Sequence, residues 1–159
     1  MKRVFALASI VALVSVVGKP VSSQSAQSDP RIGTWKLNTA KSQGNTRKSE
    51  TRTYTQSGDG VTGHIEIVNS DGSTQVYGMT NRPDGKDYPY TGQVPGGADT
   101  IAVKRVGNNT FTAENKKGGK VLSTTRITFS ADGSVMTMTT KGVDADGKPI
   151  ISVRVYDKQ

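Results

Sequence analysis

Apolar and polar side chains alternate along short runs of the chain, most clearly toward its C-terminal end. Ile127 and Phe129 alternate with Arg126 and Thr128, and this period of two is typical of a β-strand that buries one face. Similar runs follow in residues 135–141 and 150–156, separated by turn-forming segments. The pattern predicts that the chain closes with an antiparallel meander.

Turn signals recur along the chain at intervals of 10 to 14 residues. In most of them glycine follows aspartate, a pair that supplies the positive φ values of tight hairpins. The eight signals are Asp59-Gly60, Asp71-Gly72, Asp84-Gly85, Gly96-Gly97, Asn108-Asn109, Gly118-Gly119, Asp132-Gly133 and Asp146-Gly147. Eight turns join nine strands, and the segment around Trp35 adds a tenth.

A run of strands without an intervening helix pattern favours pairing between sequence neighbours. An open meander would leave two unpaired edges, whereas closure removes both. We therefore predict an all-β fold, an up-and-down antiparallel meander barrel of about ten strands, with the Trp35 strand beside the last strand. A two-sheet sandwich is the alternative. Threonine and charged residues in 50–56 and 136–141 disfavour a transmembrane barrel, whose outer face is continuously apolar.

The first 25 residues have the features of a secretory signal peptide. Lys2 and Arg3 precede an apolar run over residues 4–17, and small residues suited to cleavage follow. The apolar run is shorter than the roughly 20 residues that a membrane-spanning helix needs. We expect an exported, periplasmic or secreted protein that loses residues 1–25 and does not insert into the membrane afterwards.

The rest of the chain divides into a short leader and one domain. Residues 26–30 are polar and aperiodic, which predicts a disordered leader. Residues 31–159 are expected to form a single β-barrel domain, whose first strand is predicted over residues 32–38. The polar residues 39–49 are expected to form a mobile loop or at most one short helix.

Composition narrows the classes of function. The formal net charge of +8 falls to about +5 when Lys2, Arg3 and Lys19 leave with the signal peptide. The remaining basic residues are dispersed and not interleaved with aromatic residues, so no nucleic-acid partner is expected. Since the chain has no cysteine, its core must be stable without disulfides. A monomer is expected.

No residue pattern typical of a catalytic or metal site stands out. His64 is the only histidine, and one imidazole without cysteine does not make a common zinc site. Asp144 and Asp146 lack the further ligands of a calcium loop and are assigned to a turn. We therefore expect a protein that is not an enzyme, with no catalytic residue, no metal and no cofactor.

Both ends of the predicted barrel resemble a known superfamily. The sequence GTWKL (residues 33–37) is similar to the opening strand of fatty-acid-binding proteins, and its G-x-W to the lipocalin signature. The sequence RVY (residues 154–156) resembles the Arg-x-Tyr of the last strand of fatty-acid-binding proteins, with Arg126 two strands earlier. The resemblance, to a calycin-type barrel, implies that Arg126, Arg154 and Tyr156 hold a carboxylate inside a cavity. Residues 39–49 are too short and too polar for the two-helix lid of fatty-acid-binding proteins.

The orientation of Arg154 has two solutions. Ile151 and Val155 share one face of the last strand, and a hydrophobic core on that face would place Arg154 outside. The resemblance instead turns Arg154 and Tyr156 inward. An inward Arg154 could bind a ligand, or it could lie across Trp35, which is expected to plug one barrel end as core.

These observations leave three functions, in descending order. The first is a non-catalytic barrel that binds a small hydrophobic or amphipathic ligand, and a carboxylate is one such ligand. The second is a barrel with a filled interior that acts through its surface as an interaction or inhibitor module. An enzyme is the least favoured. A cavity above about 300 Å³ would favour the first function over the second. Tyr88, Pro89 and Tyr90 would be either an edge or bulge segment that packs on the core or the rim of such a cavity.

The signal peptide provides the first testable prediction. The mature protein should begin near residue 26, because the short apolar run directs export and is then removed. Intact-mass measurement of the exported protein checks this, and an exported product that still begins at Met1 would contradict it.

Overall fold

The structure is a computed structural model that describes residues 29–143 and 147–159. The predicted signal peptide and the turn residues Asp144 and Asp146 lie outside the described residues. The strands are β1 (Gly33–Gln43), β2 (Arg47–Ser57), β3 (Gly60–Asn69), β4 (Thr74–Asn81), β5 (Asp84–Gly92), β6 (Thr100–Gly107), β7 (Thr110–Lys117), β8 (Lys120–Phe129), β9 (Val135–Val143) and β10 (Pro149–Lys158). A single 3₁₀ turn, Pro95–Gly97, accompanies them in the described ranges, where no helix is long and apolar enough to cross a membrane.

The ten strands form a closed up-and-down barrel in which every neighbouring pair is antiparallel. The first strand pairs with β2 on one side and with β10 on the other, so Trp35 lies between Arg52 and Lys158. The predicted all-β fold and the predicted contact between the first and last strands are both confirmed. A closed sheet has one inner and one outer face, and alternate residues of each strand point to each.

The segment predicted as a loop over residues 39–49 is mostly strand, because β1 continues to Gln43 and β2 begins at Arg47. The β1–β10 register shifts between Asn38 and Gln43. At this irregularity the Ser42 hydroxyl donates to the Asn38 carbonyl (2.7 Å) and accepts from the Val155 amide (3.0 Å). The end of this strand is polar and does not alternate apolar with polar residues, which explains why it was predicted as a loop. The expected lack of a two-helix lid between β1 and β2 is confirmed.

Aspartate and glycine form tight turns largely as the sequence indicates. In the turn before β9, Asp132 accepts hydrogen bonds from Ser130 and Ser134, which lower the pKa of Asp132 to about 2, and Gly133 has φ 70°. The β2–β3 hairpin differs in detail, because the positive φ falls on Gly58 (57°) rather than on Gly60. Local turn chemistry thus sets the strand spacing, although the glycine with the positive φ is not always the one that the sequence indicates.

Aromatic side chains fill the barrel end at which β1 begins, here called the Trp35 end. Phe129 packs between Trp35 and Phe111, with ring centroids 5.4 and 6.0 Å away. The Trp35 indole donates to the Arg31 carbonyl (2.8 Å), and the Arg31 guanidinium lies over the Phe111 ring. Trp35 is fully buried, as predicted. The cation over its ring is Lys158, with Nζ 5.2 Å from the centroid, and not Arg154.

Truncation of the aromatic plug tests this packing. Phe111→Ala should lower the free energy of unfolding by about 3 to 5 kcal/mol, because Phe111 is fully buried and its loss leaves a cavity. The control Val106→Ala changes a side chain that is 49% exposed, so it should shift stability by no more than about 0.5 kcal/mol. Urea unfolding of both variants gives the comparison, and equal effects would contradict the assigned core.

Candidate functional site

The last strand turns its polar face into the barrel. Ser152 and Tyr156 are buried, and Arg154 on the same face borders the internal cavity. The opposite face points outward, where Ile151 is 69% exposed and Val155 is half-buried. The hydrophobic-face interpretation of this strand was therefore wrong. Apolar residues on the outside of β10 and polar residues on the inside reverse the usual pattern.

Arg126 does not join Arg154 and Tyr156. It is exposed on the outer face of β8, opposite Thr112 of β7 and Thr139 of β9. Ile127 and Phe129 occupy the inner face of the same strand. Because a strand offers only one face to the interior, the inward placement of Arg126 that the resemblance implied is wrong.

A buried ion-pair cluster on β2 was missed by the sequence analysis. Glu50 is 1% exposed; one carboxylate oxygen lies 2.5 Å from Arg52 Nε, and the other pairs with Arg47 Nη1. Glu50 and Arg52 alternate with outward threonines, and in the sequence this polar run served only as evidence against a transmembrane barrel. The signal that could have found them is the opposite charge of two residues on one strand face.

The surrounding cations keep Glu50 ionised. Burial alone would raise the pKa of Glu50, but the charges of Arg52, Arg47 and Arg154 lower it below its ordinary value of 4.5. Burial would also lower the pKa of Arg52, but Glu50 and the neighbouring tyrosines raise it well above its ordinary value. A buried carboxylate remains charged when paired cations offset its desolvation.

Tyrosine hydroxyls complete the surroundings of Arg52. Its two terminal nitrogens donate to Tyr54 Oη (3.0 Å) and to Tyr77 Oη (3.2 Å). The guanidinium also lies over the Tyr156 ring, 5.4 Å from the centroid. Arg52 is therefore held from several sides by the protein itself, and it acts as a fixed part of the wall.

Three successive inward residues of β10 carry the donors that lack a protein partner. Ser152 Oγ, Arg154 Nε and Tyr156 Oη are buried without a hydrogen bond to any described residue. Burial raises the pKa of Tyr156 to about 12, so its hydroxyl keeps its proton at neutral pH. Burial and the charge of Arg47 lower the pKa of Arg154, yet a guanidinium stays protonated in proteins.

These groups border an internal cavity of about 180 Å³. Arg154, Arg47 and Arg52 contribute to its wall together with apolar side chains from other strands. The apolar part of the wall includes Met79, Ile101, Val103, Ile127 and Met138. Tyr90 also borders the cavity, and its hydroxyl donates to Asn115 Oδ1 (2.6 Å). Tyr88 and Tyr90 pack against the core from a strand that is paired on both sides, so the segment is not an edge, and Tyr90 also lines the cavity.

The site is rich in donors and poor in free acceptors. Both oxygens of Glu50 form ion pairs, one with Arg47 and one with Arg52, although the Oε1–Nε contact with Arg52 lacks hydrogen-bond geometry, whereas Arg154 and Tyr156 have donors without a protein acceptor. Buried donors are rarely left unsatisfied, because their desolvation costs about 1 to 3 kcal/mol each. The chemistry therefore fits a small molecule that offers several acceptor oxygens.

Comparison with known protein families and with curated protein sequences found no match to this chain. The closed antiparallel barrel of ten strands fits a calycin-like fold in general. Within residues 29–143 and 147–159, no group of three or more histidine, cysteine or acidic side chains could hold a metal ion. The polar residues of the barrel interior therefore carry the functional argument.

Removing the charge of Glu50 tests the cluster. Glu50→Gln should destabilise the fold by about 3 to 5 kcal/mol at pH 7, because the three arginines lose their buried counterion. The pKa of Glu50 is lowered in the folded state, so its stabilising effect is present above pH 4.5 and is lost as pH falls through the folded-state pKa.

Urea unfolding of both proteins at pH 7 and at successively lower pH measures this effect. The difference between wild type and Glu50→Gln should shrink as the pH falls below 4.5. The control Glu66→Gln changes an exposed carboxylate on the outer face of β3, and should have little effect at any pH. A Glu50→Gln protein as stable as wild type at pH 7 would contradict the paired, ionised Glu50.

Proposed function

We propose that this protein is an exported, non-catalytic barrel that binds a small organic acid in its interior. The observation that carries the proposal is Arg154, a cavity-lining guanidinium with no ion pair or hydrogen bond to any described residue. A calycin-type ligand-binding barrel is the class of protein in which such a site is expected. The carboxylate of the ligand would supply the acceptors that Arg154 and Tyr156 lack.

Charge supports an anion over a neutral ligand. A guanidinium cannot shed its proton, so burying it without a counterion costs several kcal/mol. Glu50 does not meet this need, because Arg47 and Arg52 already occupy its two oxygens. A ligand carboxylate can accept two parallel hydrogen bonds from Arg154 while Tyr156 donates a third.

The volume of the cavity limits the size of the ligand. The cavity of about 180 Å³ is smaller than the 300 Å³ above which, as set out in the sequence analysis, a ligand-binding barrel is favoured over a filled one. A cavity of about 150 Å³ holds one benzene molecule. The site therefore suits a short acid of about five carbons rather than a long-chain fatty acid. Apolar side chains that line the same cavity, such as Ile127 and Met79, would contact its hydrocarbon part.

The small cavity volume also favours a second candidate function. A barrel whose interior is largely filled by its own side chains would act through its outer surface, as an interaction or inhibitor module. In that case Arg154 would be a structural group that needs no ligand. The two functions differ in one measurable property, which is whether the wild-type protein binds a short acid.

Calorimetric titration with pentanoate and pentan-1-ol tests the proposal. Arg154→Gln should weaken pentanoate binding by about 2 kcal/mol, roughly 30-fold, because a charge-assisted hydrogen-bonded pair is lost. Binding of the alcohol should change far less. The matched control is Arg126→Gln, which removes an arginine from the outer face and should alter neither affinity.

Equal losses for the acid and the alcohol in Arg154→Gln would contradict the carboxylate contact. Failure of the wild type to bind any short acid would contradict the whole proposal and favour the surface module.

A further inference from the structure

The barrel interior holds more positive charge than one carboxylate ligand would balance. Arg31 also borders the cavity, but its guanidinium is paired with Asp29 at the Trp35 end, 2.7 Å away. Of the other described residues that line the cavity, Arg47, Arg52 and Arg154 are charged, and they share Glu50 as their buried counterion. Three cations and one anion leave an excess of two positive charges.

The excess is located on two of the three arginines. Arg52 is anchored by Glu50, Tyr54 and Tyr77. The Arg47 guanidinium makes one ion pair, through Nη1 to Glu50, which leaves Nε and Nη2 as further donors. Arg154 has no ion pair with a described residue. Free donor capacity therefore belongs mainly to Arg47 and Arg154.

Arg47 and Arg154 reach the same cavity from different strands. Arg47 begins β2 and Arg154 lies on β10, and both are part of the wall. They are close enough that the charge of Arg47, after burial, is the largest influence that lowers the pKa of Arg154. A single carboxylate at Arg154 would leave Arg47 without a full counterion beside it.

The unpartnered donors on β10 extend along the strand rather than meeting at one point. Inward residues of a strand are separated by about 6.6 Å, twice the rise per residue. Ser152 Oγ and Tyr156 Oη thus lie on opposite sides of Arg154 along the strand, and both are buried without a partner. Ser152 is on the side away from the Trp35 end, toward the start of β2, where Arg47 is located. A ligand with acceptors at two places satisfies this row better than a single carboxylate does.

We infer that the ligand is a short dicarboxylate of about five carbons, with one carboxylate at Arg154 and Tyr156 and the other near Arg47 and Ser152. This inference rests on the proposed function and adds the charge and form of the ligand. The two carboxylates balance the two excess charges. The short carbon chain between them contacts the apolar wall of the cavity.

The test compares three five-carbon acids by calorimetric titration of the wild-type protein at pH 8, where carboxylates are ionised. The acids are pentanedioate, its monomethyl ester and pentanoate, at constant ionic strength. Pentanedioate should bind at least about tenfold more tightly than the other two, because only it supplies a second charge-assisted contact. This comparison requires no variant, so it does not depend on the folding of a mutant.

Two variants locate the second carboxylate. Arg47→Gln should reduce pentanedioate affinity to about that of pentanoate while changing pentanoate affinity less than about threefold. Arg154→Gln should weaken both acids. Arg126→Gln, which alters the outer face of β8, should leave both unchanged. Thermal unfolding of each variant establishes that it is folded before titration.

The outcomes separate the two proposals. If pentanedioate and pentanoate bind the wild type equally, the dicarboxylate inference is overturned while the small-acid function stands. If hydrogenphosphate displaces pentanedioate at equal concentration, the site recognises a compact dianion and the assignment of a dicarboxylate is wrong. If no acid binds, both proposals fail.

Discussion

The hydrogen bonds between β1 and β10 close the sheet, and the other features of this protein depend on that closure. Closure gives every strand two hydrogen-bonded neighbours, so the described sheet has no edge strand, although β4 and β5 pair over only three residues each. It also divides the side chains into an outer set and an inner set with no intermediate position. Any polar residue that falls on the inner face must then find its partner inside the barrel.

The inner face is divided between an aromatic end and a charged region. At the Trp35 end, Phe111 and Phe129 pack around the indole, and the buried Arg31 is neutralised by Asp29. Farther along the barrel the interior becomes ionic, and Glu50 holds two arginines at once. An interior of this kind contributes less to stability than a fully apolar core of the same volume. In the proposed function, the ligand uses the donors that remain.

The distribution of partners separates Arg52 from Arg154. Arg52 has three kinds of contact, to a carboxylate, to hydroxyl groups and to an aromatic ring, and is therefore fixed. Arg154 has the same charge and borders the same cavity but lacks those contacts. An arginine that the protein does not satisfy is available to a ligand, whereas a satisfied one forms the wall that positions it.

The sequence by itself determined the strand number, the strand order and the closure, because tight turns and the period of two are local properties. It also indicated Trp35 as core. The tertiary structure alone decided which face of each strand points inward. On β10 the apolar Ile151 lies outside and Arg154 inside, and on β8 Arg126 lies outside, although the patterns of both strands allow either choice. Glu50 and Arg154 lie near opposite ends of the sequence. Their charges interact only because the barrel closes and brings the second strand and the last strand around one cavity.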